Sequence, residues 1–72
     1  MPSVKIAQKI ASGRLPSRRD APGKLWVGRG ADKVCDGCDA PVTPSEVEYE
    51  LDLKDRTLRF HFHCYAVWEG AI

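Results

Sequence analysis

Large core-forming side chains are scarce in this 72-residue chain, which has only two Phe, two Trp and two Tyr. Five Pro and six Gly further interrupt regular backbone structure. A domain of this size gains only a narrow margin of stability from hydrophobic burial. The composition therefore predicts a single domain that needs a stabilising element besides its core.

A long apolar run is also absent. No stretch is long enough to cross a bilayer, and residues 1–12 lack the continuous hydrophobic segment of a secretory signal. We therefore expect a cytoplasmic protein without a membrane partner. The three cysteines are an odd number, so a secreted disulfide scaffold would leave one thiol over, and disulfides do not persist in the cytoplasm. Metal binding accounts for these cysteines better than cross-linking does.

The usual signatures of catalysis are missing as well. The chain has no Gly-rich phosphate loop, no His-Glu-x-x-His helix and no usable Ser-His-Asp set. Glu69 stands alone near the end of an expected helix, which is typical of a solvated carboxylate rather than of a general base. We therefore predict that the protein is not an enzyme and has no small-molecule substrate.

Charge is distributed unevenly along the chain. Residues 1–33 carry eight basic and two acidic side chains, a net charge of +6, whereas residues 34–72 carry three basic and eight acidic ones, a net charge of −5. The predicted organisation is a basic N-terminal helix and linker over residues 1–24, followed by an acidic module over residues 25–72.

The N-terminal segment predicts a short helix over about residues 4–12. Ser3 can cap this helix, because its side chain can accept from a free backbone N–H. Ile6 and Ile10 lie on one face at i, i+4 spacing, and Gly13 is a natural stop.

An alternating pattern predicts an antiparallel hairpin in the second half of the chain. Residues 46–53 (EVEYELDL) and 57–62 (TLRFHF) each place apolar side chains on one face and polar ones on the other. The apolar faces coincide if Leu53 pairs with Leu58. A two-residue slip to a tighter turn also matches the faces, so the register stays open.

The remaining segments are expected to be a loop, a short strand and a short helix, over residues 14–23, 24–27 and 64–69 respectively. Gly70 would end this helix. Because so small a protein has few large apolar side chains, Phe60 and Phe62 should both lie in the interior. The expected fold is a small, metal-stabilised α+β domain.

All cysteines and histidines lie in two short stretches, CDGC at residues 35–38 and FHFHC at residues 60–64. Zinc prefers tetrahedral sets of thiolate and imidazole, and two ligands two residues apart in a tight turn can point at one ion. Gly37 can supply the positive φ that such a turn needs. His61 and Cys64 are at i, i+3, which places both on one face of a first helical turn. The pattern Cys-x2-Cys, 22 intervening residues and His-x2-Cys predicts a closed site for one structural zinc.

Other interpretations of these residues remain open. A redox dithiol would be expected in a thioredoxin-like βαβ context, whereas a hairpin follows the Cys-x2-Cys pair here. Separate buried thiols with incidental histidines would leave the shared two-residue gap unexplained. An iron–sulfur cluster is less favoured than zinc, because a histidine is among the ligands. His61 has the better spacing, but the adjacent His63 is the alternative ligand. If His61 binds, its other ring nitrogen should donate to a carbonyl or carboxylate, with Glu48 and Glu50 as candidates.

Together, CDGC, a hairpin and FHFHCY with a short helix resemble the treble-clef zinc knuckle and half of a LIM-type finger over about residues 33–69. The chain also looks like short, uncharacterised bacterial zinc-finger proteins that end in Cys-aromatic-x-x-Trp, here Cys64, Tyr65 and Trp68. The resemblance implies a treble-clef-like fold and the ligand set Cys35, Cys38, His61 and Cys64. No second quartet of Cys or His follows, so the function of a tandem finger is not implied.

A zinc-stabilised module without chemistry of its own generally presents a binding surface. We expect a protein-binding adaptor or regulator. The strand over residues 46–53 offers an edge, the short terminal helix offers a face, and tyrosine and tryptophan suit such interfaces. The alternative is nucleic-acid binding, in which basic side chains follow a phosphate backbone and an aromatic ring stacks on a base. The candidate contacts for either partner are Arg14, Arg18, Arg19, Lys24, Trp26 and Arg29. Arg18 and Arg19 could instead fold back over the acidic face of the hairpin.

Overall fold

Two helices and two antiparallel sheets make up the described part of the chain, which comprises residues 2–18 and 23–70 of a computed structural model. This arrangement confirms the predicted small α+β fold. Neither helix in these ranges has the length and apolar character needed to span a lipid bilayer. The elements follow in the order α1 (Pro2–Ala11), β1 (Lys24–Arg29), β2 (Lys33–Val34), β3 (Pro41–Val42), β4 (Val47–Asp52), β5 (Thr57–His61) and α2 (Phe62–Gly70).

The predicted hairpin is present as β4 and β5, and it adopts the tighter of the two registers. Leu51 lies opposite Leu58, so the pairing of Leu53 with Leu58 is wrong. The Leu53 N–H instead donates to the Arg56 carbonyl at 2.8 Å, which closes the turn over two residues. Both registers match the apolar faces, and only the geometry of the turn distinguishes them.

β1 is longer than the predicted strand and is a full member of the main sheet. It pairs antiparallel with β4 along its whole length, so the strand order is β1-β4-β5. β4 is therefore the central strand, and the prediction that residues 46–53 offer an edge is wrong. Leu25 lies opposite Leu51 and Val27 opposite Tyr49, which places apolar side chains on one face of all three strands. This face carries the core where α2 covers it, but every residue of β1 is exposed.

Trp68 of α2 is at the centre of the core and is fully buried. Its ring stacks on Phe60 with centroids 5.0 Å apart, and its Nε1 donates to the Pro16 carbonyl at 2.8 Å. Phe60 is also fully buried, as predicted, whereas Phe62 is 61% exposed. Phe62 differs from the prediction because α2 begins at this residue, two positions earlier than expected, so its side chain no longer follows the alternation of the strand.

α1 packs against α2 and contributes to the same core. Ile6 is fully buried, and Leu15 beyond the helix is buried with it. The helix begins at Pro2 rather than after Ser3, which fits the preference of Pro for the first turn of a helix. Gly13 has φ +82°, and the Leu15 N–H donates to the Lys9 carbonyl at 3.0 Å, so the predicted glycine stop is confirmed.

Candidate metal centre

Four side chains from three parts of the fold converge at one end of the main sheet. Cys35 and Cys38 belong to the loop between β2 and β3, His61 is the last residue of β5, and Cys64 lies in the first turn of α2. One donor atom from each lies within 4.8 Å of every other, so this group could hold a metal ion. All three cysteines are free thiols.

The separations between these donor atoms fit a tetrahedral site. His61 Nδ1 lies 3.4 Å from the Cys38 sulfur and 3.9 Å from the Cys64 sulfur. A tetrahedral zinc ion with Zn–S bonds of about 2.3 Å separates its sulfur ligands by roughly 3.8 Å, and a sulfur from a nitrogen by slightly less. The four residues are therefore close enough together to bind one ion.

Backbone N–H groups from two segments point at the Cys35 sulfur. Gly37 N lies 3.3 Å from it and His61 N lies 3.5 Å from it. Such donors stabilise a thiolate, because hydrogen bonding to the charged form favours that form. These contacts also join the Cys-x2-Cys loop to the end of β5.

Gly37 is required in this loop for space rather than for a positive φ. A Cβ on this residue would lie 3.0 Å from the Cys64 Cβ and 3.1 Å from Ile6 Cδ1. The positive φ is found instead at Asp39, at 69°. The predicted backbone role of Gly37 is therefore wrong, and its small size allows the loop to pack against α1 and α2.

The orientation of the His61 ring is fixed by a backbone carbonyl. Nε2 lies 3.1 Å from the Pro41 oxygen, and because a carbonyl can only accept, Nε2 carries the proton. Nδ1 of the neutral ring is then left with a lone pair facing the sulfurs. Glu46 Oε1 lies 3.5 Å from Nε2 as well. The prediction that the second ring nitrogen of His61 donates to a carbonyl or carboxylate is confirmed.

The predicted carboxylate partners of His61 are wrong. Glu48 and Glu50 lie 3.9 Å and 3.8 Å from Arg59 Nε instead. His63, the alternative ligand, is exposed on α2 and is not part of the four-residue group. His61 belongs to the four-residue group because it is the last residue of β5, beside the cysteine loop. His63 lies on α2, where the helical turn points it away from the group.

The Cys64 thiol lies in surroundings that oppose its ionisation. Burial raises the pKa of the Cys64 thiol, and the neighbouring Cys35 and Cys38 raise it further. A cation bound among the sulfurs would offset this cost, since an adjacent positive charge favours thiolates. The donor set thus fits a thiolate-binding metal ion.

Lys9 of α1 holds the cysteine loop through two hydrogen bonds. Its ammonium is buried and donates to the Asp36 carbonyl at 2.8 Å and to Asp39 Oδ1 at 2.6 Å. The hydrogen bond from Lys9 lowers the pKa of Asp39. Asp36 in turn exchanges two bonds of 2.7 Å with the backbone of Arg59 on β5. The loop is therefore held from both sides, and no sequence pattern indicated this role for Lys9.

Replacing Lys9 by Met should destabilise the metal-loaded protein by about 1–3 kcal/mol, because the part-buried Asp36 carbonyl loses its donor while the apolar stem is kept. Lys5→Met is the matched control on the same helix. Lys5 Nζ is half exposed and lies 3.3 Å from the Cys38 carbonyl and 3.7 Å from Asp39, so the expected loss is below about 1 kcal/mol. Denaturant unfolding measures the free energy of unfolding of both variants. Equal losses of stability would contradict the role of Lys9 in holding the cysteine loop.

The predicted partner contacts that the structure describes differ in their surroundings. Arg18 packs on α2, with its guanidinium 5.6 Å from the Trp68 ring and 3.9 Å from Glu69, rather than over the acidic face of the hairpin. The side chains of Arg14 and Arg29 are exposed. Arg19 lies outside the described residues.

Trp26 lies half exposed on the polar face of the main sheet. Its Nε1 donates to Asp52 Oδ2 at 3.0 Å, and Lys24 Nζ lies 4.6 Å from its ring. One of the two ring faces is therefore covered by the neighbouring lysine.

An open groove of about 580 Å³ lies beside the four-residue group. Its floor is mostly apolar, and Val47 and Phe62 form its exposed rims. The sequence pattern did not predict it, because the groove depends on where α2 begins. Its full lining is Cys38, Glu46, Val47, Tyr49, His61, Phe62, His63 and Cys64.

Comparison of the chain with protein-family models, with curated proteins and with solved structures found no match. The function is therefore inferred from the contacts and geometry described above.

Proposed function

We propose that this protein is a non-enzymatic module of the treble-clef type, in which one structural zinc stabilises a surface that binds a protein partner. The exposed apolar side chains beside the metal centre are the single observation that carries the partner class. The metal and the fold type are supported by the order and chemistry of the ligands.

The arrangement of ligands along the chain supports the treble-clef assignment. A Cys-x2-Cys loop between two short strands is followed by a hairpin, then by a ligand at the end of β5 and another in the first turn of α2. Three sulfurs and one imidazole nitrogen are a set typical of zinc. Bound zinc would link the loop, the sheet and α2. It would be the stabilising element that a protein with so few large core side chains requires.

A structural role is favoured over a catalytic one because the protein supplies all four donors. A catalytic zinc keeps one position for water or substrate, whereas a thiolate-rich set of four is typical of structural sites. Cys35 and Cys64 are also buried, so two of the donors lie away from solvent. These features leave the surrounding surface, rather than the metal, as the part that meets other molecules.

An apolar surface extends over the outer part of the main sheet and the start of α2. It consists of Leu25, Val27, Val47 and Phe62, which share one face of the sheet or rim the groove beside it. All four are exposed. Contiguous exposed apolar side chains are costly in water and mark interaction sites. We call these four residues the apolar surface.

The contacts of the basic residues favour a protein partner over nucleic acid. Arg18 is engaged with Trp68 and Glu69, and Trp26 is held by Asp52 and partly covered by Lys24. A base would have to displace Lys24 to stack on that side of the ring. Nucleic-acid binding remains the alternative that the experiment below distinguishes.

We expect a Val47→Ser, Phe62→Ser variant to lose its protein partner while keeping its metal. Arg14→Gln is the matched control, since the Arg14 side chain is exposed and lies outside the apolar surface. Affinity enrichment with both variants selects candidates, and each is then purified and titrated by calorimetry. We expect at least tenfold weaker binding for the double variant and an unchanged constant for Arg14→Gln.

Two results would contradict this function. The first is a reconstituted complex with equal affinity for the double variant and the wild type. The second is binding of single-stranded nucleic acid that weakens steeply with salt and is lost in Arg14→Gln.

A further inference from the structure

The outer edge of β1 has an alternating row of backbone groups without partners in the described part of the chain. Gly30 N–H donates to the Glu46 carbonyl at 2.9 Å, so these residues form a hydrogen-bonded pair. In an antiparallel ladder such pairs alternate with pairs that turn their N–H and C=O groups away. Following the register from Gly30, the backbone groups of Leu25, Val27 and Arg29 point away from β4.

The opposite edge of the same sheet is closed. The backbone groups of Arg59 on β5 bond to Asp36, and the His61 N–H points at the Cys35 sulfur. The cysteine loop therefore covers the β5 edge at Arg59 and His61, whereas no described strand pairs with the outer side of β1. An open strand edge is a template for a further strand, and proteins with no use for one usually shield it.

Positive side chains lie at both ends of β1, and Lys24 is directly opposite Asp52 on β4. Lys24 and Arg29 have no ion-pair partner among residues 2–18 and 23–70, although Lys24 contacts the ring of Trp26. The nearest acidic side chains on β4 are engaged elsewhere. Glu48 and Glu50 lie beside Arg59, and Asp52 accepts from Trp26.

A second copy of the chain would not supply a carboxylate to either charge. Only backbone groups that point away from β4 can face one another in a new antiparallel pair, for example with Val27 opposite Val27 and Arg29 opposite Leu25. β1 carries no acidic side chain, so a facing β1 strand brings two further positive charges and no carboxylate. An acidic partner would instead form an ion pair at each end.

Building on the protein-binding function above, we propose that β1 binds an extended acidic peptide segment of its partner as a fourth strand of the sheet. The segment spans about six residues and carries a carboxylate near each end. Because Lys24 and Arg29 are an odd number of positions apart, their side chains lie on opposite faces of the sheet, and so do the two carboxylates. An apolar residue between them contacts Leu25 and Val27 and continues the apolar surface.

The test uses the zinc-loaded full chain and a displayed library of random twelve-residue peptides, followed by synthesis of the selected sequences. We expect selection of peptides with two acidic residues flanking an alternating apolar segment. Replacing both acidic residues by Lys should weaken binding about tenfold, because two attractive pairs become repulsive.

Two substitutions at Val27 distinguish the contribution of its backbone to peptide binding from that of its side chain. Val27→Pro removes an N–H that faces away from β4, a position where an edge strand tolerates proline, and its ring blocks an incoming strand. We expect at least tenfold weaker peptide binding. Val27→Ala keeps the N–H and should change the affinity less than threefold. Circular dichroism and zinc content verify that both variants fold.

Amide hydrogen exchange on the wild type provides a readout that needs no variant. Peptide binding should slow exchange at Leu25, Val27 and Arg29, whereas the amides of Trp26 and Gly28, already bonded to β4, should change little. This alternation distinguishes strand addition from binding elsewhere on the apolar surface.

Several outcomes would overturn the inference. One is equal peptide affinity for Val27→Pro and Val27→Ala. Another is a selection that yields no peptide, or only peptides without acidic residues. A third is a dimer, detected by sedimentation, that Val27→Pro dissociates. The protein-binding function fails separately, when a reconstituted complex is insensitive to Val47→Ser and Phe62→Ser. A partner that depends on those residues but not on Val27→Pro would preserve the function and exclude the β1 edge.

Discussion

Treatment of the zinc-loaded protein with a strong chelator should unfold it. Structural zinc contributes on the order of 10 kcal/mol to small modules, which is comparable to the whole stability of a domain of this size. Without the ion, three crowded sulfur atoms and one imidazole would be left where the loop, the sheet and α2 meet. We expect loss of the helical circular dichroism signal on chelation, its return when zinc is added, and one zinc per chain by metal analysis. Cys38→Ser should have the same effect.

The two histidines provide a matched pair for this prediction. His61→Ala removes a donor that lies 3.4 Å from the Cys38 sulfur, so its zinc content and thermal stability should fall sharply. His63→Ala, two positions away and exposed, should retain both. A folded protein after chelation, or equal zinc content in the two variants, would contradict the metal centre.

Trp68→Ala should be the most damaging substitution outside the metal centre. Trp68 is fully buried, stacks on Phe60 and donates to the Pro16 carbonyl. Truncation of a buried Trp typically costs about 3–5 kcal/mol, since it removes apolar contacts and leaves a cavity. In a protein with so few large core residues, this loss should abolish most of the cooperative unfolding transition.

Trp26→Ala is the control, because this residue is 50% exposed and lies on the polar face of the sheet. Its expected cost is about 1 kcal/mol or less. Urea unfolding followed by circular dichroism compares the two variants without relying on tryptophan fluorescence. Similar midpoints for both would show that Trp68 is not the centre of the core.

The sequence was most informative where a regular spacing of residues allows only one local structure. Alternation over β4 and β5 predicted the hairpin and its apolar face, because the period of two leaves no other way to bury one side. The spacing of Cys35, Cys38, His61 and Cys64 predicted the group that the fold brings together. The choice between the two hairpin registers could not be made, since both kept the faces matched.

Features that depend on distant contacts were not predictable from local patterns. β1 is exposed at every position, so its sequence has no buried face to reveal its pairing with β4. The Pro41 carbonyl that orients His61 and the buried ammonium of Lys9 both depend on how the cysteine loop docks. Ordinary lysines and prolines carry no signal of such roles.

Because Cys64 lies in α2, the ligand set is complete only after the chain has been synthesised as far as that helix. The hairpin is then made before the metal can be fully enclosed, and Phe60 remains uncovered until Trp68 follows it. Apolar side chains exposed during synthesis promote aggregation. With the proposed metal, the order of elements therefore makes prompt metal supply, as soon as α2 has been synthesised, a condition for a good yield of folded protein.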